Sequence, residues 1–301
     1  MRFQENQQKM EKRMDRILAK TEKTLLKEYR NALKKIRAEL AQLYGTFPLT
    51  GAKSLEARRL RNLEIFILNE INRIYRNNQS TLYDSLSEMY NMTGWAIEME
   101  IGGAQMAWGV INPDVIRRAV MAPIDKLTLN DRLERNRRKI IAEIKHQLTQ
   151  GLIMGNSYEK IAQRIKNVLE QDVRKARVIA RTEGHRIRNT GKFDSAKRAA
   201  ELGLEMVKVW DATLDHRTRP AHRKLDGKKV GVNENFISPA GGIGPGPGMM
   251  NHPKDDIQCR CIFRLEFPGF EPQKRRIRGE GVQPYTTYER WAKARGFKVG
   301  M

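Results

Sequence analysis

The sequence predicts a mainly α-helical protein in which long basic N-terminal helices are followed by a smaller, compact α+β module. Two patterns carry this prediction. Before Gly203, apolar residues recur at three- and four-residue steps, as in amphipathic helices. After Gly203 the pattern changes to the two-residue alternation of strands. The chain of 301 residues divides on this basis into a helical N-terminal region (1–155), an α+β domain (156–270) and a basic C-terminal tail (271–301).

The first predicted helix covers Met1 to Tyr44 and ends at Gly45 and Pro48. Its polar face is almost entirely charged or amide-bearing. That face is either the solvated side of a bundle helix or an arm that docks on an assembly partner, and both readings stay open. One or two further helices are predicted for 53–92, and a buried or broken helix for 95–110. Prolines 113 and 123 mark turns or helix starts.

A basic cluster lies in the first half of the next predicted helix, Asn130 to Gly151, for which Thr128 or Asn130 is the predicted cap. Cations near a helix N-terminus oppose the helix dipole. The cluster is either a solvated helix face or a site that binds an anion outside the protein. The candidate DNA contacts are therefore Arg135, Arg137, Arg138 and Lys139.

Two more helices are predicted, one starting at Ser157 and one over 173–202 with a break near Gly191. The second carries Arg181-Thr182-Glu183. These side chains either form a salt-bridged helix face or tie the helix to the α+β module through buried hydrogen bonds, since charged groups that reach an interior need partners.

The α+β module begins with the alternating strand 205–213 and returns with a strand over 257–267. Between them lie a turn or short helix (217–225), an Asp226-Gly227 turn beside a short strand, and a Gly/Pro-rich loop (239–248) interpreted as a flexible cover. One short helix is expected in the tail, at about 285–295. This path should bring together five side chains: Trp210, Asp215, His222, Cys259 and Cys261.

The composition points to particular partners. A formal net charge of +22 favours a polyanion such as nucleic acid, or an anionic surface. The two cysteines form Cys-Arg-Cys, whose disulfide would be strained, so reduced thiols fit better than a secreted disulfide scaffold. The N-terminus lacks the apolar stretch of a signal peptide. The most apolar window, 89–111, contains two glutamates and several glycines and is a poor membrane span.

Cys259 and Cys261 would lie on the same face of a strand, where two thiolates can hold one metal ion. Zinc requires further ligands, and the candidates are Asp215 and His222, with His216 and His252 as other donors nearby in sequence. The alternative is a pair of buried, inert cysteines, and the absence of the usual Cys-x-x-Cys spacing favours it. No cofactor is certain on these grounds, and zinc is the candidate.

We expect no enzymatic activity. The sequence has no nucleophile motif of the G-x-S-x-G kind, and the Gly/Pro-rich loop lacks the strand, lysine and helix of a phosphate-binding loop. His222 and nearby acidic residues leave one alternative, a metal-assisted nuclease.

The module resembles the phage head morphogenesis domain of the Mu F-like minor head proteins. The resemblance covers roughly 157–267. It rests on Arg181, Thr182, Glu183, Trp210, Thr213, Asp215, Arg217, Thr218, Arg219, His222, Leu225, Asp226, Gly227, Phe236, Pro239, Cys259, Arg260 and Cys261.

This resemblance implies a minor head (capsid) protein of a tailed phage or prophage. Such proteins associate with the portal inside the procapsid, among capsid or scaffold proteins. Some relatives bind DNA and affect its packaging or ejection. We expect this chain to contact double-stranded DNA during head assembly, packaging or ejection, and its net charge of +22 predicts that the contact is independent of base sequence. The expected location is the head interior, after assembly in the host cytoplasm, with no membrane partner. Some relatives carry C-terminal toxin domains, but about 34 residues follow Phe267, too few for one.

Overall fold

The computed structural model describes residues 2–45, 53–100, 112–124, 126–154, 156–269, 272–277 and 280–297. The chain forms two compact units. The helical unit contains 16–85 and 127–180, and the α+β unit contains 1–15, 86–126 and 181–301. The predicted mainly α-helical fold with a smaller α+β module is confirmed.

Five helices precede the first strand: α1 (Arg2–Gly45), α2 (Lys53–Glu100), α3 (Pro113–Met121), α4 (Leu129–Ile153) and α5 (Tyr158–Glu201). The single helix predicted at the N-terminus is confirmed, whereas Pro48 lies outside the described residues. Residues 53–92 belong to one helix, which continues to Glu100. The prediction for 95–110 is tested only up to that point, because 101–111 are not described.

The prediction of two helices between Ser157 and Leu202 is wrong, because α5 is continuous. Gly191 does not break it. An added Cβ at Gly191 would lie 1.9 Å from the Thr93 Oγ1 of α2. The glycine therefore serves a close helix–helix approach rather than a break.

In the helical unit, apolar stripes of α1, α2, α4 and α5 form the core. Its fully buried members include Leu25, Ile36, Leu63, Ile67, Ile71, Ile74, Ile140, Ile144, Ile161 and Ile165. The predicted cap of α4 is confirmed for Thr128, whose hydroxyl accepts a hydrogen bond from the Asp131 N–H at 3.2 Å. Asp131 Oδ2 accepts in return from the Thr128 N–H at 2.9 Å, so both ends of this first turn are satisfied.

One buried carboxylate links three helices of this unit. Asp172 of α5 accepts hydrogen bonds from the Tyr29 hydroxyl of α1 at 2.6 Å and from the Tyr75 hydroxyl of α2 at 2.9 Å. Burial raises the pKa of Asp172 above its ordinary value, and the two tyrosine donors partly offset that rise. The two tyrosine donors therefore favour the ionised form of this carboxyl group, whereas its burial opposes that form.

Replacing Tyr29 with phenylalanine should lower the free energy of unfolding by about 1.5 kcal/mol at neutral pH, since Tyr75 still donates. The folded pKa of Asp172 is raised, so its ionisation costs stability as pH rises through that pKa. Losing a donor raises it further, so the deficit should widen from acid to neutral pH. Urea titrations at several pH values measure it. A deficit that shrinks as pH rises would contradict this account.

The α+β unit contains a three-stranded antiparallel sheet of order β2-β1-β5. Its strands are β1 (Val207–Asp211), β2 (Lys229–Gly231) and β5 (Ile262–Glu266). Trp210 lies opposite Phe263 and Lys208 lies opposite Val230. The predicted outgoing and returning strands are thus confirmed as direct neighbours.

Short elements fill the connections of this sheet. They are α6 (Pro220–Leu225), β3 (Phe236–Ile237), β4 (Ile243–Gly244) and α7 (Pro253–Asp256). The interpretation of 239–248 as a loose cover needs correction, because the segment is packed. An added Cβ at Gly244 would lie 1.8 Å from the Met249 carbonyl oxygen, and one at Gly242 would lie 2.4 Å from Asp255 Oδ2.

The segment interpreted as a tail is part of the same core. It forms the hairpin of β6 (Lys274–Ile277) and β7 (Gly281–Pro284), followed by α8 (Tyr288–Ala294). Ile277, Tyr288 and Trp291 pack in one buried cluster with Trp210 and both cysteines. The short helix was predicted in this region, but its contribution to the core was not.

Candidate functional site

His222, Cys259 and Cys261 meet in the buried core of the α+β unit. Pro220 opens α6 and sets its first turn, and His222 lies on the inner side of this helix. The cysteines lie in the connection from α7 to β5, after Gln258, whose φ of 56° turns the chain. His222 Nδ1 lies 3.7 Å from Cys259 Sγ and 3.4 Å from Cys261 Sγ. The cysteines precede the strand rather than lie on it, yet both sulfurs face one nitrogen.

Asp255 holds the other side of the His222 ring, with its Oδ1 3.1 Å from Nε2. This carboxylate is fully buried. It also accepts from the Ser238 hydroxyl at 2.8 Å and from the Gly242 N–H at 3.2 Å, and it lies 3.1 Å from His252 Nδ1. Asp255 could not be predicted from the sequence to hold this role, because its neighbours come from loops whose packing has no local sequence signature.

Contacts within the cluster oppose the effect of burial on the pKa values of His222 and Cys261. Burial would lower the pKa of His222, but the hydrogen bond and charge of Cys261, followed by Asp255, raise it. Burial would raise the pKa of the Cys261 thiol, but hydrogen bonds from Cys259 and His222 bring it well below its ordinary value. Burial raises the pKa of Cys259. Without a metal, these directions favour a thiolate at Cys261 and a protonated ring at His222.

Asp215 does not join this cluster, although the sequence analysis grouped it with the other three. Its Oδ1 accepts from the Arg260 guanidinium at 2.9 Å and from the Arg217 N–H at 2.9 Å. The hydrogen bonds it accepts hold the pKa of Asp215 below its ordinary value despite burial. Asp215 therefore fixes the turn that leads into α6. The remaining convergence is as predicted, since the Trp210 and His222 rings lie 5.3 Å apart.

The Arg181-Thr182-Glu183 segment of α5 contacts the connection between α7 and β5. Thr182 Oγ1 accepts from the Gln258 N–H at 3.1 Å. Glu183 is fully buried and accepts from Arg186 Nε at 3.0 Å. Arg186, which the sequence analysis did not single out, donates to the carbonyls of Ala119 at 2.8 Å and Val120 at 2.9 Å. These contacts favour the interpretation that the segment ties the helix to the module.

Asp226 and Gly227 form the predicted turn, and Gly227 has the positive φ of 78° that favours glycine. Asp226 accepts from the N–H groups of Ala212 at 2.8 Å and Tyr288 at 2.6 Å, and from Arg275 at 2.8 Å. The Leu-Asp-Gly motif therefore joins the end of β1 to β6 and α8.

The four candidate DNA contacts differ in their surroundings on α4. Arg137 is half-buried, and it donates to Glu134 at 2.7 Å and to Asn72 of α2 at 2.6 Å. Arg138 also contacts Glu134, but its side chain is 77% exposed. Arg135 and Lys139 are exposed. Three of the four are accessible to a ligand, and Arg137 supports the helix packing.

Comparison with known proteins places these features in a family. A sequence profile described as "Phage Mu protein F like protein" matches residues 142–264, a range that holds His222, Asp226, both cysteines and all of α5. The minor head protein GP7 of Bacillus phage SPP1 is 37% identical over 305 aligned residues, which cover 96% of this chain and 98% of GP7. The chain belongs to the phage Mu F-like family of head morphogenesis proteins.

This Mu F-like protein is therefore a phage minor head protein. The protein named NAD(+)--arginine ADP-ribosyltransferase EFV of Enterococcus faecalis is 29% identical over 90% of the chain, which spans 56% of EFV. An uncharacterized protein of Haemophilus influenzae is 25% identical over 42% of the chain and 25% of its own length. No solved structure matches the chain significantly. No helix in the described ranges has the length and apolar character to cross a bilayer.

Proposed function

We propose that this minor head protein associates with the portal on the inside of the procapsid and contacts double-stranded DNA during head assembly, packaging or ejection. The observation that carries the proposal is the similarity to GP7, which extends over both the α+β unit and the long helices. A protein that shared only the module would leave the role of the helical half open.

The proposal assigns capsid, scaffold and portal proteins as partners, and its portal part has a direct test. Heads are assembled from the phage's capsid, scaffold and this chain, with the portal gene present or deleted. Incorporation of the chain should require the portal. Equal incorporation without the portal would overturn portal association while leaving membership of the head intact.

DNA contact is supported by the net charge of +22 and by the exposed basic residues on α4. Contacts with phosphates release counterions, so the affinity should be independent of sequence and should fall steeply with salt. Replacing Arg135, Arg138 and Lys139 together with glutamine should reduce the slope of log affinity against log salt by about 2 to 3. Fluorescence anisotropy with two unrelated duplexes measures both properties.

A matched control removes the same charge from α1 of the same unit, at the exposed residues Lys23, Lys27 and Arg30. That triple variant should retain the wild-type slope. An equal loss in both triple variants would contradict the assignment to α4. An affinity that did not change with salt would contradict electrostatic DNA contact altogether.

The nuclease alternative is less well supported by the site. His222 has 2% of its side chain exposed and Asp255 has none, while Asp215 is engaged with Arg260. A general base must reach the proton that it abstracts, and this histidine is enclosed. The name of EFV refers to that protein, of which this chain spans about half. We therefore propose a structural role, and duplex DNA incubated with the protein and Mg²⁺ should stay intact.

A further inference from the structure

We propose that His222, Cys259 and Cys261 bind one zinc ion that closes the core of the α+β unit. The inference concerns the stability of the module and is independent of the proposed portal and DNA contacts. All three side chains are buried, and their ligand atoms lie within 4.8 Å of one another. Two sulfurs and one imidazole nitrogen form a donor set that zinc prefers.

The two sulfur–nitrogen distances within the cluster match a tetrahedral ion. With usual zinc–sulfur and zinc–nitrogen bond lengths, ligands at the tetrahedral angle are separated by about 3.6 Å. The two observed Sγ–Nδ1 separations of 3.7 Å and 3.4 Å lie on either side of that value. The side chains would therefore need little movement to bind the ion.

The outer contacts are those of a metal-binding histidine. Asp255 Oδ1 lies 3.1 Å from His222 Nε2, the nitrogen that faces away from the sulfurs. A carboxylate in this position fixes the tautomer that leaves Nδ1 free to bind a metal. Ser238 and the Gly242 N–H in turn hold Asp255.

Among the residues that the structure describes, no fourth histidine, cysteine or carboxylate joins the group. We therefore assign the fourth position to a water molecule, as in other zinc sites with three protein ligands. The competing arrangement has no metal: a Cys261 thiolate and a His222 imidazolium would share a proton at the same distances. The two arrangements differ in metal content.

The test uses the full chain, expressed with zinc and purified without chelators. Elemental analysis should find one zinc per chain. Metal-free protein titrated with Co²⁺ should develop thiolate-to-cobalt absorption that saturates at one equivalent, and if it unfolds without metal, Co²⁺ should restore its circular dichroism. A folded, zinc-exposed protein with no metal and no cobalt absorption would overturn the proposal.

Variants assign the site to these residues. Cys259→Ser and Cys261→Ser should each abolish the cobalt absorption, and Asp255→Asn should weaken metal affinity by about 10- to 100-fold. His216→Ala is the control, because His216 was also a candidate ligand by sequence but is exposed and outside the cluster. It should bind one equivalent with wild-type affinity. Folded cysteine variants that retained one equivalent of metal would overturn the assignment.

Discussion

Replacing Asp226 with alanine should lower the free energy of unfolding by about 3 to 5 kcal/mol, the usual cost of removing one partner from a buried ion pair. Both side chains of the Asp226–Arg275 pair are almost fully enclosed, at 2% and 4% exposed. The substitution also leaves the N–H groups of Ala212 and Tyr288 without their acceptor. Asp211, 2.5 Å from the same guanidinium, keeps part of the charge compensated.

Asp226→Asn is the matched control, because it preserves the size of the side chain and one acceptor oxygen but removes the charge. It should lose clearly less stability than the alanine variant. Urea unfolding followed by tryptophan fluorescence suits the measurement, since Trp210 and Trp291 share the affected core. A loss below about 1 kcal/mol in the alanine variant would show that Asp226 is not the junction described here.

Replacing Gly191 with alanine should destabilise the protein by about 3 kcal/mol, at the upper end of the usual cost of overpacking. In an open helix the same change would stabilise by about 1 kcal/mol, so even the sign is informative. The added methyl would lie 1.9 Å from Thr93 Oγ1 and 2.9 Å from Thr93 Cβ. The two helices would have to separate to admit it.

A double-mutant cycle tests this cause. Thr93→Gly removes both overlapping atoms, so Gly191→Ala should cost much less in that background than in the wild type. The comparison cancels the cost of placing glycine in α2, which is present in both proteins. An unchanged cost in the two backgrounds would contradict the close approach of the helices.

The elements that could be predicted from sequence are those with local signals. Apolar residues at helical spacing predicted α1 and α2, and the alternation of apolar and polar residues predicted β1 and β5. The continuity of α5 could not be predicted in this way. Asp172 interrupts its apolar stripe, and its burial depends on two tyrosines from distant helices. Gly191 likewise resembles a helix breaker until the position of Thr93 is known.

The residues of the candidate site also differ in whether they could be predicted from the sequence. His222, Cys259 and Cys261 could be selected because thiols and imidazole are chemically distinctive. Asp215 is equally suited to a metal, but it forms an ion pair with Arg260, which lies between the two cysteines in the sequence. Asp255 and the core role of Trp291 depend on loops that meet only in the folded chain. The spacing of residues along the sequence does not show which distant loops come into contact.

The location of this chain in an assembled particle tests the central claim most directly. A cryo-electron microscopy map of procapsids that contain the chain should be compared with a map of procapsids that lack it. The account predicts additional density on the inner side of the shell, next to the portal ring. Additional density on the outer surface, or none in particles shown by mass spectrometry to contain the chain, would contradict a portal-associated role in the head interior.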